Sequence, residues 1–439
     1  FSEGSRCGIE SLDISKNNSV CSEALQWKTE PLNMLWDAFG VNKTLKDVNL
    51  SECELQPHDV YEMAHRWLSK SSSLESLHVS DNAFGDEAAA LLLEQIQGVT
   101  YLDLSHTSIS AAGFRAAGLA ISKGKPLRTL NLNSNNSMGI KPLDLSNDQW
   151  LSDDMKEVLL SERNAMETFL MSLMDNTTLT DLSVARVNIG DAGIGIICDL
   201  ILHKQCALKV LDISCNCNID EQSAHRLKEL VWGGYYDRED GDVPPMVDTL
   251  SLAGNSTNIG ERALLALYQN RGLRHFDITD MALNDPMLLP LAESVMQNPF
   301  LSLTSLYVGR NFLFADGVKN IAILVEHSKT LEVLGLAHTW ESFTDEAGRG
   351  SSLSKTRERG KHYMRPLLKI LGKQAPETSP ALKTLDLSSN DVCDELALAF
   401  VEALVHNKTF EKLWLLGNPS LSDEVIARDR RLAVTAPLK

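Results

Sequence analysis

The sequence predicts an α/β solenoid built from short parallel strands alternating with helices. Three observations carry this. First, the stretch Leu382 to Leu421 reads as one complete unit followed by its own restart. Apolar residues at Leu382, Leu385 and Leu387 alternate like a strand, and Asn390 and Val392 follow. Leu396, Phe400 and Leu404 then fall four apart on one helical face. Asn407-Lys408-Thr409 breaks the helix, and the opening pattern returns at Phe410, Leu413, Leu415, Asn418 and Leu421, 28 residues on. Second, the same frame recurs along the whole chain. Third, neither the alternating strand nor the one-sided helix can bury its apolar face alone, so copies must stack.

Thirteen units are predicted in order, opening near Ile9, Leu45, Leu74, Val99, Leu127, Leu179, Leu208, Val247, Leu273, Leu303, Leu331, Leu382 and Phe410. The clearest read LESLHVSDNAF, VTYLDLSHTSI, LKVLDISCNCNI and LTSLYVGRNFL. Most intervals are 25 to 30 residues, enough for a strand, a loop, a helix and a return. In each, the Asn after the strand is expected to satisfy backbone groups that no ladder reaches. Four intervals run long, at 36, 52, 39 and 51 residues. The resulting organisation is a single domain over 1–439, with insertions near 137–176, 233–246 and 348–380. The first insertion, with Trp150, Met155, Leu159 and Leu160, is expected to pack as a loop and an extended helix. The second is acidic and turn-rich around Asp237 to Asp242. The third is basic, with a mobile start and a helix near Tyr363 to Leu371. A short last helix is expected at Ser422-Asp423-Glu424. The start FSEGSRCGIE has neither an initiator Met nor a signal pattern, so the chain reads as a fragment or a processed form.

These residues resemble the leucine-rich repeat family, in its ribonuclease-inhibitor-like subclass. The resemblance runs from Ile9 to about Leu421. Phe84-Gly85-Asp86-Glu87-Ala88, Ile189-Gly190-Asp191-Ala192-Gly193 and Ile259-Gly260-Glu261-Arg262-Ala263 are similar to the family's helix start, where an acid suits the positive end of the helix. The resemblance implies a curved horseshoe with strands on the concave face and helices on the convex face. It also implies a role in protein recognition, without naming a partner.

Residues beside the strand leucines face the concavity. One column is Asp13, Asn49, His78, Asp103, Asn131, Ser183, Asp212, Ser251, Asp277, Tyr307, Gly335, Asp386, Trp414. Its small polar and acidic character is either how this repeat is written or a groove for a basic partner. Tyr307, Arg310, His338 and Trp414, with Phe312 and Trp340, enrich the last repeats in aromatic and cationic groups of the kind that dominate protein-binding hot spots. Phe312 and Trp340 have an alternative use as edge core. Tyr101 is an earlier candidate. Arg357, Arg359 and Lys361 in the basic insertion offer contacts to an acidic or phosphate-bearing partner, or to the protein's own acidic surface. Ser354-Lys355-Thr356 lacks the glycines of a phosphate loop, so no nucleotide site is predicted there.

Composition excludes several classes. A net charge of −18 argues against a general nucleic-acid surface. No run of 18 apolar residues spans a membrane. No catalytic signature is present, and His58, His65, His78, His106 and His275 are scattered. The eight cysteines lack paired metal spacing, so no metal or cofactor is expected, and a reduced cytoplasmic setting is favoured. Seven Asn-x-Ser/Thr triplets point instead to a secreted or cell-surface protein, although the repeat itself places Asn and Thr at turns. The leading expectation is a non-enzymatic interaction scaffold binding a protein through its concave face and C-terminal repeats. The alternatives are a GTPase regulator of the Ran GTPase-activating type, the ligand-binding arm of a nucleotide-binding immune receptor, and a part of a cytoskeletal or ciliary assembly. Arg428, Arg430, Arg431 and Lys439 depart from the acidic tail of the GTPase regulators.

Overall fold

The structure is a computed structural model. It describes residues 8–17, 30–135, 167–174, 176–201, 207–216, 221–232, 247–339, 353–373, 381–390, 392–405, 407, 409–427 and 432–433. The chain divides into two compact units, Phe1–Ser223 with Gly241–Met246 and Ala224–Asp240 with Val247–Lys439. Each is an α/β solenoid.

In the first unit, strands β1 (Ser11–Asp13), β2 (Asp47–Asn49), β3 (Ser76–His78), β4 (Tyr101–Asp103), β5 (Thr129–Asn131), β6 (Asp181–Ser183) and β7 (Val210–Asp212) pair in chain order, each parallel to the next. In the second, β8 (Thr249–Ser251), β9 (His275–Asp277), β10 (Ser305–Tyr307), β11 (Val333–Gly335), β12 (Thr384–Asp386), β13 (Lys412–Trp414) and β14 (Leu432–Ala433) do the same. A strand opens two residues after each of the thirteen frame starts. The middle residue of each strand from β2 to β13, for example Leu77, Leu102, Leu306 and Leu385, is buried. Leu396, Phe400 and Leu404 of the helix Asp394–Leu404 are buried too.

Two features differ from the sequence reading. A fourteenth strand, β14, pairs Leu432 with Leu413. The basic helix runs Leu353–Leu371, ten residues earlier than Tyr363. Ser354 to His362 carry no large apolar side chain, so periodicity marked only the half that holds the buried Met364, Leu367, Ile370 and Leu371. The short helix Asp423–Ile426 is present, with the Ser422 hydroxyl accepting from the Val425 amide. Residues 137–166 of the first insertion, the acidic excursion, Trp340 and the start of the third insertion lie outside the described residues.

Three ladders of hydrogen bonds join successive repeats. The first uses the buried asparagines. Asn82 donates through Nδ2 to the carbonyls of Leu50, Val79 and Ser80 at 2.9, 3.0 and 3.0 Å, while its Oδ1 accepts from the amides of Cys53 and Leu55 at 3.1 and 2.9 Å. Asn135, Asn216, Asn311 and Asn418 repeat this reach into the preceding repeat. Thr107 and Thr339 occupy the same position and donate to Leu104 and Leu336 carbonyls at 2.7 Å, and Cys53 stands there with its thiol against the Ile14 carbonyl.

The second ladder sits one residue earlier. Lys16, Glu52, Asp81, His106, Ser134, Arg186, Cys215, Asp280, Arg310, His338 and Ser389 all take left-handed φ values of 54° to 61°. That conformation is costly for a side-chain-bearing residue. It is held because amides at this position donate to the next repeat within each unit, as Glu52 does to Ser80 and Arg310 to Ala337 at 3.0 and 2.9 Å. The third ladder runs the other way. Asp86, at the start of the helix Gly85–Gln95, accepts from the Ser110 amide and hydroxyl and the Gly113 amide at the next helix start. Asp285 does so for Phe314 and Asp316, and Asp394 for Ser422. In the phrase Phe84-Gly85-Asp86-Glu87-Ala88 the acid Asp86 therefore serves its neighbour's helix. Gly113 and Gly317 permit this approach, since a Cβ there would lie 2.8 and 2.4 Å from the Asp86 and Asp285 carboxylates.

Candidate functional site

The strand registers align the expected column within each unit. Asp13, Asn49, His78, Asp103, Asn131, Ser183 and Asp212 are partners across β1 to β7. Ser251, Asp277, Tyr307, Gly335, Asp386 and Trp414 are partners across β8 to β13. Much of the acid in this column has a local task. One oxygen of Asp13, Asp103, Asp212, Asp277 and Asp386 accepts the amide two residues on at 2.8 to 3.0 Å. Asn49 and Asn131 make the same turn with Ser51 and Asn133. These are Asx-turns that close each strand. The Asp of the Leu-Asp-Leu-Ser phrase is first a turn former. In Asp212 the second oxygen accepts from the Ser183 hydroxyl at 2.8 Å.

Tyr307 is the most exposed aromatic in the column, at 40 %. It can lie down because β11 carries Gly335 beside it, where a Cβ would sit 2.5 Å from the ring carbon Cδ1. Burial raises the Tyr307 phenol pKa above its ordinary value, and the charges of Asp277 and Asp386 raise it further. Both carboxylates therefore act on this ring. Trp414 is half-buried three strands from Tyr307, about 15 Å at the usual strand spacing. The Lys412 ammonium stands 5.7 Å from its ring centroid, within cation–π range. Leu416, two residues beyond, is 44 % exposed.

Arg310 and His338 occupy the left-handed turn position of successive repeats, Arg310 exposed and His338 half-buried. Phe312 is 59 % exposed, so it does not fill the edge as core. Its amide donates to Leu283. The second unit thus brings Tyr307, Arg310 and Phe312 onto one repeat, His338 onto the next and Trp414 two further on.

Tyr101 belongs to the first unit and has different company. Its ring meets the His78 imidazole at a 4.6 Å centroid distance. Burial raises its phenol pKa, and Asp103 and Asp47 raise it further. His78 Nε2 lies 3.0 Å from the Ser76 hydroxyl and 3.6 Å from Asp47 Oδ1. A serine–histidine–aspartate relay needs the two partners on opposite ring nitrogens. Here one nitrogen faces both, so these residues form a polar cluster and not a nucleophilic site. Sequence reasoning took His78 singly; its place diagonal to Tyr101 on adjoining strands was the available signal.

The helix Leu353–Leu371 packs between the helices Ala315–His327 and Asp394–Leu404. The side chains of Arg357, Arg359 and Lys361 lie outside the described residues. Beyond the helix, Lys373 bonds to Glu326, which holds the Glu326 carboxyl below its ordinary pKa. Part of the basic insertion is thus engaged with the protein's own acids.

Several Asn-x-Ser/Thr triplets are structural turns. The Asn407 side chain accepts from the Thr409 and Phe410 amides at 3.0 Å and is buried, and Asn42 and Asn176 cap Leu45 and Leu179 in the same way. Asn255 is buried and donates to the Leu252 carbonyl of its own repeat at 2.8 Å. Cys53, Cys198, Cys215 and Cys393 are in no disulfide. Among the described residues no helix is long and apolar enough to cross a membrane.

The family model "Leucine Rich repeat" matches residues 70–93 and 378–400. The chain is 23% identical over 347 residues to NACHT, LRR and PYD domains-containing protein 3 of Rattus norvegicus, covering 74% of this chain and 28% of that protein. It is 29% identical over 157 residues to the protein of the same name from Macaca mulatta, covering 34% and 15%. The chain thus spans less than a third of the length of these relatives. Among solved structures it is similar to the crystal structure of the Rad7 and Elc1 complex in yeast, at a TM-score of 0.48 and 11% identity, covering 92% of this chain and 77% of that one. With its strand frame, asparagine ladder and repeat sheet, the chain is a leucine-rich repeat protein. Its features are consistent with the ribonuclease-inhibitor-like subclass, and its general role is that of a protein-interaction scaffold.

Proposed function

We propose that this scaffold is non-enzymatic and holds a protein partner on the strand face of the second unit, from Tyr307 to Trp414. The observation that carries the reading is the exposed Tyr307 ring laid over Gly335, with Phe312 and Leu416 also exposed on that run of repeats. Aromatic anchors of this kind dominate binding energy where water is excluded around them. The net charge of −18 supports a protein rather than a nucleic-acid partner. Cysteines in no disulfide and the structural use of the triplet asparagines support a reduced, cytoplasmic setting.

The test is affinity purification from native lysate, with crosslinking and mass spectrometry. Crosslinks from one partner to Lys383 and Lys412 support the site, and Tyr307→Ala and Trp414→Ala then each weaken binding by about 1.4 kcal/mol or more, tenfold. Crosslinks confined to the helices, or to several large structural proteins, replace this reading with an architectural one.

A second reading concerns the whole protein. The relatives' names join the repeat region to NACHT and PYD domains, and the chain spans 15% to 28% of their length. On this reading the chain is the recognition arm of a longer protein. The mass of the endogenous protein detected by an antibody against this chain tests it: a band near 48 kDa rejects it.

A further inference from the structure

This inference rests on the docking surface proposed above and names its chemistry. We propose that Tyr307, Asp277 and Asp386 form a seat for an arginine side chain of the docked protein.

The seat follows from the register. Asp277, Tyr307, Gly335 and Asp386 stand side by side on β9, β10, β11 and β12. Gly335 supplies no side chain, so the Tyr307 ring fills the space over β11 and comes to lie between the two aspartates. At the usual strand spacing the two carboxylates are within about 15 Å of each other, with the aromatic surface between them. Both press on the phenol strongly enough to help raise its pKa.

Each aspartate keeps acceptor capacity. Asp386 uses Oδ1 on the Ser388 amide, and Oδ2 accepts no hydrogen bond among the described residues. Asp277 uses Oδ1 on the Thr279 amide, and its Oδ2 has the Ser251 hydroxyl only at 3.5 Å, the outer limit of such a bond. An exposed ring face flanked by such oxygens suits a cation that also has a flat face. A guanidinium stacks on the ring while its in-plane donors reach a carboxylate. An ammonium is a more strongly hydrated point charge and does one or the other. The chain shows a milder form of the same pairing further along the column, where the Lys412 ammonium stands over Trp414. Arg310, in the same repeat as Tyr307, is exposed and makes no ion pair among the described residues, so it leaves the seat open. The overall charge of −18 draws a basic partner in.

The test is a selection of displayed random 12-residue peptides on the full chain. Winners are re-measured against Tyr307→Ala, Tyr307→Phe, Trp414→Ala and the double variant Asp277→Asn with Asp386→Asn. Asparagine preserves the fold at both aspartates, because Asn49 and Asn131 already close the same turn. The expected result is peptides sharing one arginine. Their affinity falls at least tenfold with Tyr307→Ala, with the double variant, or when that arginine becomes lysine, and holds with Tyr307→Phe. Thermal melts check that the variants are folded. Winners that lack a basic residue yet depend on Tyr307 or Trp414 would overturn the arginine seat and leave the docking surface standing. Winners indifferent to both aromatic variants, or no winners, would overturn both.

Discussion

Replacing Asn82 with Ala tests the idea that the asparagine ladder holds each repeat to its predecessor. Asn82 is fully buried. Its loss orphans the amides of Cys53 and Leu55, both 1% exposed, and removes the donor shared by three carbonyls. A buried donor left unpaired costs about 1–3 kcal/mol, so two cost roughly 2–6 kcal/mol, before any gain from water entering the site. Leu55 leads directly into the helix Pro57–Met63, and the fully buried Trp67 follows it, stacked 5.9 Å from Trp36. Tryptophan emission under urea therefore reports on the affected repeats. Asn82→Thr should cost about half as much, since Thr107 and Thr339 fill this position with one hydroxyl bond. A loss below about 1 kcal/mol for Ala, within the ordinary range for any single hydrogen bond, refutes the reasoning. Equal losses for Thr and Ala refute it as well.

Further outcomes follow from other residues. Gly113→Ala pushes a Cβ to 2.8 Å from both the Asp86 carboxylate and the Ile109 side chain, and should lower stability by about 1–3 kcal/mol in the same urea titration. The Tyr268 phenol, desolvated and bonded to Glu293, has its pKa pushed up to about 12. A raised folded-state value favours the neutral phenol, so this contribution is intact below about pH 10, the ordinary tyrosine value, and is lost as pH rises through 12. Tyr268→Phe should flatten the alkaline limb of stability measured between these values. Native-state alkylation followed by peptide mass mapping should find Cys53 and Cys198 protected until denaturant is added, as both are 1% exposed.

The strand positions were legible because a leucine frame that restarts every 25 to 30 residues leaves little freedom in register. The asparagine ladder was legible in kind, since Asn after a strand has few other uses, although its partner in the preceding repeat was not. Asp86 shows the limit more sharply. An acid at a helix start suggests its own helix, whereas its carboxylate caps the next one, and only the stacking geometry supplies that neighbour. β14 escaped because Leu432-Ala433 is too short to show alternation. Tyr307 and Trp414 stood out as aromatics in a polar column. The role of Gly335 did not, because glycine in a strand signals only that something comes close, not what.

The ladders also give the chain a polarity that its repeating form hides. The asparagines reach backward to hold the repeat already made, and the aspartates Asp86, Asp285 and Asp394 reach forward to the helix still to come. During synthesis each loop would wait for the following asparagine before its amides are satisfied, while each new helix start finds its acceptor already in place. A cut between repeats consequently injures both new ends, but differently. The upstream piece is left with bare amides, and the downstream piece with a helix start lacking its acid. Each repeat is thus a keyed segment, and trimming this protein from its two ends should not be equivalent.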